Sequence, residues 1–157
     1  MKHQQGFSLI ELMIAIVIVG IITAVAIPNY SDYVTRSRVP EATAALGDLR
    51  VRMEQFYQDN RTYPTGGCVV APTLPAPTTP PTQLQLPLGQ NFDFTCGTPT
   101  ATTYTVQAAG KGSMVGFQYT VDQFNGKTSA FTGAAATNGW TVPSPNNCWA
   151  TKKRGYC

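Results

Sequence analysis

The residues best suited to chemistry in this chain are four cysteines, Cys68, Cys96, Cys148 and Cys157, and a single histidine, His3. No two cysteines form a C-x-x-C pair, and the histidine lies far from all of them, so the spacing argues against a zinc site. An even number of cysteines is also compatible with two disulfides, for which three pairings exist. The residues alone leave that choice open, and no cofactor is predicted.

The acidic residues give no sign of a catalytic centre. The chain has eight, scattered along its length: Glu11, Asp32, Glu41, Asp48, Glu54, Asp59, Asp93 and Asp122. No pair of them lies beside a histidine or a metal-ligand cluster, which general acid–base or metal-assisted catalysis requires. We therefore predict that the protein is not an enzyme.

A run of cations near the carboxyl end has the composition of a nucleic-acid contact. Lys152, Lys153 and Arg154 are consecutive, with Trp149 and Tyr156 on either side. Cations attract phosphates and aromatic rings stack on bases, so these residue types would suit DNA. A solvated basic tip explains the same run, and the net charge of +3 is too small to indicate a nucleic-acid binder by itself.

The amino-terminal region contains an ionisable residue beside a long apolar stretch. The twenty residues from Leu12 to Ser31 carry no charge, and as a helix they would extend about 30 Å, one bilayer core. Glu11 lies at the start of this stretch, where an ionised group costs about 2.5–3.5 kcal/mol on insertion scales. Either Glu11 has a partner or it lies at the membrane edge, where that cost is small.

The residues around Glu11 resemble the type III signal of type IV prepilins. The resemblance is carried by Gly6-Phe7-Ser8-Leu9-Ile10-Glu11 and continues through Leu12, Gly20, Pro28 and Tyr30. It covers about the first forty residues. Beyond them, only the general layout is similar.

The resemblance implies specific roles for these residues. A prepilin peptidase would cut between Gly6 and Phe7 and methylate the new amino group of Phe7. Glu11 would guide subunits into a filament. The stretch from Gly20 to Pro28 would loosen on assembly, and helix propensity is indeed poorest there.

The resemblance also implies a location and partners. The chain would be an inner-membrane protein with its carboxyl end in the periplasm, and then a subunit of an extracellular pilus. Lys2 supports this orientation, whereas Arg36 and Arg38 oppose it. Its partners would be other pilin subunits, the prepilin peptidase and the inner-membrane assembly platform. Adhesion, twitching motility and DNA uptake are the roles of such filaments.

Three alternatives remain beside a pilus subunit. A type II secretion pseudopilin is disfavoured because residues 144–157 contain no carboxylate side chain for the calcium site that many pseudopilins have there. A DNA-binding minor pilin would use Lys152, Lys153 and Arg154. A plain single-pass anchored protein would not need the processing signal. Residues 114–131 resemble the PilE-type pilins, which are often minor components.

The remaining pattern predicts an α+β fold, and the resemblance implies that it is the type IV pilin fold. A leader at residues 1–6 precedes a long helix at residues 7–58, whose apolar part at 7–28 forms the membrane or filament-core segment. In the later half of this helix, apolar residues recur at three- and four-residue spacing and predict a stripe packed on a sheet: Ala42, Ala45, Leu46, Leu49, Met53, Phe56 and Tyr57. A globular head at residues 59–157 contains a Pro-rich irregular connection at residues 68–90, which is predicted to contain no strand. Four strands follow, at Phe92–Cys96, Thr102–Ala109, Met114–Gln123 and Lys127–Phe131, the last after an Asn125-Gly126 turn. They predict an antiparallel sheet with the helix across one face.

The resemblance also favours one pairing of the cysteines. Type IV pilins commonly close a small carboxyl-terminal loop, which would be Cys148–Cys157 here. Cys68–Cys96 would then fasten the Pro-rich connection to the first predicted strand. Disulfides are expected in an exported chain.

Overall fold

The computed structural model describes residues 8–70 and 83–157, and of residues 25–29 it describes the backbone alone. The predicted leader, Gly6, Phe7 and most of the Pro-rich connection lie outside these residues, as does the Pro28 side chain. The chain divides into two compact units, one ending at Thr35 and one from Arg36 to Cys157. The second unit is the head.

One helix, α1, runs from Leu9 to Asn60. It continues through Pro28 and Pro40 without interruption, although each proline removes one backbone hydrogen bond. Residues 8–24 are all exposed. Among the residues that the structure describes, no helix is both long enough and apolar enough to cross a bilayer. The membrane-spanning segment predicted for residues 7–28, which extends beyond them, stays a prediction.

The carboxyl end of α1 has a local chemical cause. The side-chain amide of Asn60 donates to the Phe56 carbonyl at 2.9 Å, and the backbone N–H of Arg61 donates to the Tyr57 carbonyl at 2.7 Å. Arg61 then takes a positive φ of 59°, the left-handed conformation that commonly ends helices. The sequence predicts that this helix ends at residue 58, two residues before the observed end at Asn60.

The head contains the four-stranded antiparallel sheet that the sequence predicts. Its strands lie in the order β3-β4-β5-β6, a meander. They are β3 (Phe92–Cys96), β4 (Thr105–Gly110), β5 (Phe117–Asp122) and β6 (Lys127–Phe131). A short helix, α2 (Gly133–Thr137), follows. The predicted α+β architecture with a four-stranded antiparallel sheet is thereby confirmed.

The β5–β6 turn shows why the Asn125-Gly126 pair is there. Asn125 has a φ of 60°, which asparagine tolerates. The Asp122 carboxylate accepts hydrogen bonds from the backbone N–H groups of Phe124 and Gly126, at 2.9 and 2.7 Å. A Cβ atom at residue 126 would lie 2.6 Å from Asp122 Oδ2, so a larger residue there would push the Asp122 carboxylate out of these hydrogen bonds.

The connection between α1 and the sheet corrects the sequence prediction. Residues 68–90 were predicted to contain no strand, because six prolines lie there. Two short strands in fact flank the undescribed part, β1 (Cys68–Val70) and β2 (Leu84–Leu86), and they pair in parallel. Prolines do not interrupt these two segments, and the Cys68–Cys96 disulfide joins β1 to the main sheet.

The core lies between the head part of α1 and one face of the sheet. The predicted helix stripe is buried there at Ala42, Leu46, Leu49, Met53 and Phe56. Alternate residues of the strands belong to the same cluster: Phe92, Phe94, Val106, Ala108, Phe117, Tyr119, Val121 and Phe131. Burial of each large apolar side chain contributes about 1.5–3 kcal/mol, so this cluster supplies most of the packing energy.

A polar cluster closes one end of this core. The hydroxyl groups of Tyr63 and Tyr104 both donate to Glu54 Oε1, at 3.2 and 3.3 Å. Burial, the negative charge of Glu54 and the hydrogen bond to it raise the pKa of Tyr63 to about 12. Burial and the charge of Glu54 also raise the pKa of Tyr104, so both phenols are neutral donors at physiological pH.

A second polar contact joins α1 to the loop before β3. The Glu41 carboxylate accepts from the backbone N–H of Asn91 at 2.9 Å and from its side-chain amide at 2.6 Å. Burial acts to raise the pKa of Glu41, but these hydrogen bonds outweigh it and hold the pKa below 4.5. Glu41 is thus a structural anion of the head.

Candidate functional site

The first candidate surface is the exposed apolar part of α1, which we call the apolar helix surface. It consists of eleven large side chains, each 50% to 77% exposed: Leu9, Ile10, Leu12, Met13, Ile14, Ile16, Val17, Ile18, Val19, Ile21 and Ile22. Monomeric soluble proteins rarely leave so large an apolar patch in water. An exposed apolar patch of this size marks a candidate surface for contact with lipid or with other apolar helices.

Glu11 lies within the first turn of α1. The Ser8 carbonyl accepts from the backbone N–H groups of Glu11 and Leu12, at 3.1 and 3.2 Å, so the helix is already wound at this point. An anion in the first turn interacts favourably with the positive end of the helix dipole. The eleven side chains of the apolar helix surface offer Glu11 no cation.

The structure gives less information on the other residues with predicted roles in processing or assembly, namely Gly6, Phe7 and Gly20. A Cβ atom at Gly20 would meet nothing within 4 Å, so glycine is not required there by packing inside this chain. Gly6 and Phe7 lie outside the described residues, and their roles stay predictions.

The second candidate surface is the loop from Cys148 to Cys157, which we call the C-terminal loop. A disulfide joins its two ends, with the Cα atoms 6.1 Å apart. The other bridge, Cys68–Cys96, has Cα atoms 6.0 Å apart. Nothing in the described residues resembles a metal site, because no three His, Cys, Asp or Glu side chains lie together there.

The C-terminal loop is fastened to β6 by polar contacts that the sequence did not reveal. The Ser129 hydroxyl donates to the Cys148 carbonyl at 2.9 Å and accepts from the Ala150 backbone N–H at 2.9 Å. The buried Tyr119 hydroxyl donates to the Ala150 carbonyl at 3.0 Å. Burial raises the pKa of Tyr119, so this phenol remains a donor. These contacts fix where the loop begins.

The tip of the C-terminal loop reverses direction at Arg154 and Gly155, both with positive φ, 62° and 70°. The Arg154 backbone N–H donates to the Gly139 carbonyl at 3.1 Å. A Cβ atom at residue 155 would come within 3.0 Å of Pro143 Cα, which explains the glycine. The tip is therefore held against the segment after α2.

The predicted cations differ in their exposure. Lys152 and Arg154 are exposed, whereas Lys153 is half-buried. Tyr156 is 63% exposed, so its ring is available for stacking. The structure thus places two of the three cations and one of the two aromatic residues on the surface of one loop.

Trp149, which the sequence indicated as a ring for stacking on bases, is less exposed than Tyr156. It is half-buried, and its Nε1–H donates to the Thr120 carbonyl at 2.7 Å. The Lys127 ammonium lies 4.7 Å from the centre of its ring, a cation–π contact. Sequence reasoning missed Lys127, because only the register of β6 brings it beside a residue twenty-two positions later.

The chain combines an apolar helix surface, which has an acidic residue in its first turn, with a head in which a helix packs on an antiparallel meander. A disulfide closes the carboxyl end of the head. Together these features define a type IV pilin subunit. Comparison with known families agrees. Residues 1–27 match the model of the prokaryotic N-terminal methylation motif, and residues 28–118 match that of the type IV minor pilin ComP, DNA uptake sequence receptor. The chain belongs to this family of type IV minor pilins. The C-terminal loop lies beyond the matched residues.

Individual relatives are fimbrial proteins. The type IV major fimbrial protein FimA of Dichelobacter nodosus is 35% identical over 108 residues, which cover 67% of this chain and 58% of FimA. The fimbrial protein EcpC of Eikenella corrodens is 46% identical over 61 residues, covering 39% of this chain and 40% of EcpC. The chain thus spans less than two thirds of the length of these relatives.

Among solved structures, the Neisseria meningitidis non-core minor pilin PilV is similar. It is 15% identical, with a TM-score of 0.49 over 65% of this chain and 92% of that one.

Proposed function

We propose that this protein is a structural subunit of a type IV pilus, made as a prepilin in the inner membrane with its carboxyl end in the periplasm. The prepilin peptidase cuts it after Gly6 and methylates Phe7. The assembly platform then transfers it into a filament of pilin subunits. The observation that carries this proposal is the apolar helix surface, which lies within the residues that match the N-terminal methylation motif.

Filament assembly gives the apolar helix surface the cover that it needs. Helices of neighbouring subunits are as apolar as lipid tails, so the transfer from membrane to filament does not expose these side chains to water. Each side chain kept out of water preserves about 1.5–3 kcal/mol. The same surface therefore serves in both locations.

Glu11 determines the axial register at which an incoming subunit joins the filament. After cleavage, the amino group of Phe7 is a cation close to the helix start, and Glu11 of a docked subunit can pair with it. The desolvation of both ions offsets much of their attraction. The pair therefore contributes mainly to register, because a subunit at the wrong height leaves two charges unpaired in an apolar environment.

Incorporation into filaments tests this proposal. The chain and two variants are produced in a piliated host, and sheared filaments are compared with the cell fraction. Ile18→Asp adds a charge to the apolar helix surface and should prevent incorporation. Val115→Asp adds the same charge to an exposed apolar position of the head and should leave incorporation unchanged. Equal incorporation of the two variants would contradict the proposal.

A second candidate function is DNA binding by the C-terminal loop, as a minor pilin acting in DNA uptake. It is supported by the exposed cations Lys152 and Arg154 beside the exposed ring of Tyr156, and by the family model that residues 28–118 match. Phosphates would bind the cations, and the rigid anchoring of the loop would reduce the entropy lost on binding.

Salt dependence tests this second function. Replacement of Lys152, Lys153 and Arg154 by alanine should weaken binding to duplex DNA. The slope of log K against log salt should fall by up to about 2.7, which is about 0.9 for each phosphate that the variant no longer neutralises. The matched control replaces three other cations of the head, Arg52, Arg61 and Lys111, and so removes the same charge. Equal weakening by both triple variants would show nonspecific attraction only.

A further inference from the structure

An open groove lies beside the C-terminal loop, entirely within the head. Pro40 and Ala44 of α1 form one wall, and Trp149 and the Cys148–Cys157 disulfide form the other. Lys127 also lines it. Its volume of about 450 Å³ is within the range of small-molecule sites, about 300–1,000 Å³.

The groove combines an apolar lining with positive charge. The described lining residues include no acidic side chain, so Lys127 is the charged side chain among them. Its ammonium rests over the Trp149 ring at 4.7 Å. Lys152 and Arg154 lie exposed on the loop that forms one wall. A complementary ligand therefore has a flat apolar body and an anionic group next to it.

We propose that this groove receives an unstacked nucleobase of bound DNA, with the flanking phosphates on Lys127 and Lys152. This inference rests on the proposed DNA-binding function and adds a site and a preference to it. Among macromolecules, a nucleic-acid strand is the one that repeats a flat ring and a phosphate at every unit, and aromatic walls bind bases without regard to sequence.

The proposal predicts a preference for single strands. In a duplex the base is paired and stacked, and extruding it costs a few kcal/mol. A single strand pays much less of this cost. The C-terminal loop cations alone would favour a duplex, whose charge density is higher. A single-strand preference would therefore arise from the groove.

The test separates base insertion from phosphate attraction. The full-length chain in detergent micelles is titrated with a labelled single strand, its duplex and an abasic strand that keeps the phosphates. Ala44→Phe blocks the groove from the exposed side of α1, outside the core. Val51→Phe places the same side chain on an exposed helix position away from the groove. Equal thermal unfolding midpoints would show that both variants fold.

We expect Ala44→Phe to weaken single-strand binding about tenfold, the loss of one stacked base at about 1.4 kcal/mol. Abasic-strand binding should not change, and Val51→Phe should bind as the unmodified chain does. Trp149 fluorescence should be quenched by the single strand and not by the abasic strand. Trp140 is 2% exposed, so its emission should stay constant.

The experiment distinguishes failure of the groove proposal from failure of the proposed DNA-binding function. If the unmodified chain binds DNA but Ala44→Phe binds equally well, the groove is not the base site, and the DNA-binding function stands. If the unmodified chain binds no DNA at low salt, that function fails and the groove proposal fails with it. If Ala44→Phe changes only self-association, the groove is covered by a second copy, which also overturns the proposal.

Discussion

The side-chain amide of Asn146 pairs with the backbone of Ser129 as a neighbouring strand would. Asn146 Oδ1 accepts from the Ser129 N–H at 2.9 Å, and Asn146 Nδ2 donates to the Ser129 carbonyl at 3.1 Å. This pairing satisfies the outward-facing backbone groups of Ser129 in β6, which forms an edge of the sheet. It also holds the chain just before Cys148, where the C-terminal loop begins.

Asn146→Asp should therefore loosen the C-terminal loop. The new carboxylate accepts but cannot donate, so the Ser129 carbonyl loses its partner and faces a negative charge. We expect a loss of about 1–2 kcal/mol in the free energy of unfolding. Urea unfolding measures it, with Asn147→Asp as the control, since the same change one residue later leaves the pairing intact. Equal losses would show that the pairing contributes nothing.

The Cys68–Cys96 disulfide should contribute more to the free energy of unfolding, and the Cys148–Cys157 disulfide should contribute more to DNA affinity. Chain entropy predicts about 3.5 kcal/mol for Cys68–Cys96, which closes 28 residues, and about 2.5 kcal/mol for Cys148–Cys157, which closes 9. Serine replacement of the first pair should cost more stability. Replacement of the second pair should cost more DNA affinity, because Lys152 and Arg154 lie inside that loop. Urea unfolding and DNA titration of both variants check the reversal, and the same order in both measurements would contradict it.

Alkaline pH should destabilise the head through the cluster around Glu54. The pKa of Tyr63 is about 12 in the folded chain and about 10 when unfolded, so the unfolded state releases its proton first. The stabilisation is complete below about pH 10 and is lost as the pH rises through about 12. Glu54→Gln removes the negative charge and should make this decline shallower, as measured by urea unfolding at successive pH values.

Asp59→Asn removes a carboxylate from the same end of α1, where Asp59 is exposed and outside the tyrosine cluster. It should leave the alkaline decline unchanged. A decline altered equally by both variants would mean that general charge repulsion, and not the Glu54 contact, sets the pH dependence.

Sequence reasoning succeeded where local chemistry decides the structure. The apolar spacing of Leu46, Leu49 and Met53 predicts the buried helix face, and Asn125-Gly126 predicts the β5–β6 turn, because both depend on neighbouring residues. The groove could not be predicted. Its walls come from α1 and the C-terminal loop, and Lys127 reaches Trp149 only after the register of β6 is fixed. The β1–β2 pairing was missed for a similar reason, since it joins segments separated by the prolines.

Glu11→Val should separate processing from assembly. The substitution removes one partner of the proposed pair and makes the helix more apolar, so insertion, cleavage after Gly6 and formation of both disulfides should proceed. Incorporation into sheared filaments should fall sharply, because the incoming amine finds no anion. Quantification against the unmodified chain, with the cleaved fraction in the membrane as the control, checks this. Normal incorporation would make Glu11 a residue of the membrane edge only.

The most direct measurement is the intact mass and amino-terminal sequence of this chain in filaments sheared from its native host. The account predicts a chain that begins at Phe7, carries one methyl group on that amine and contains both disulfides. A Gly6→Val variant should remain uncut and be absent from the same filaments. Filaments that contain the chain with residues 1–6 still attached, or a Gly6→Val variant recovered as a chain beginning at Phe7, would contradict the assignment of this protein as a processed pilus subunit.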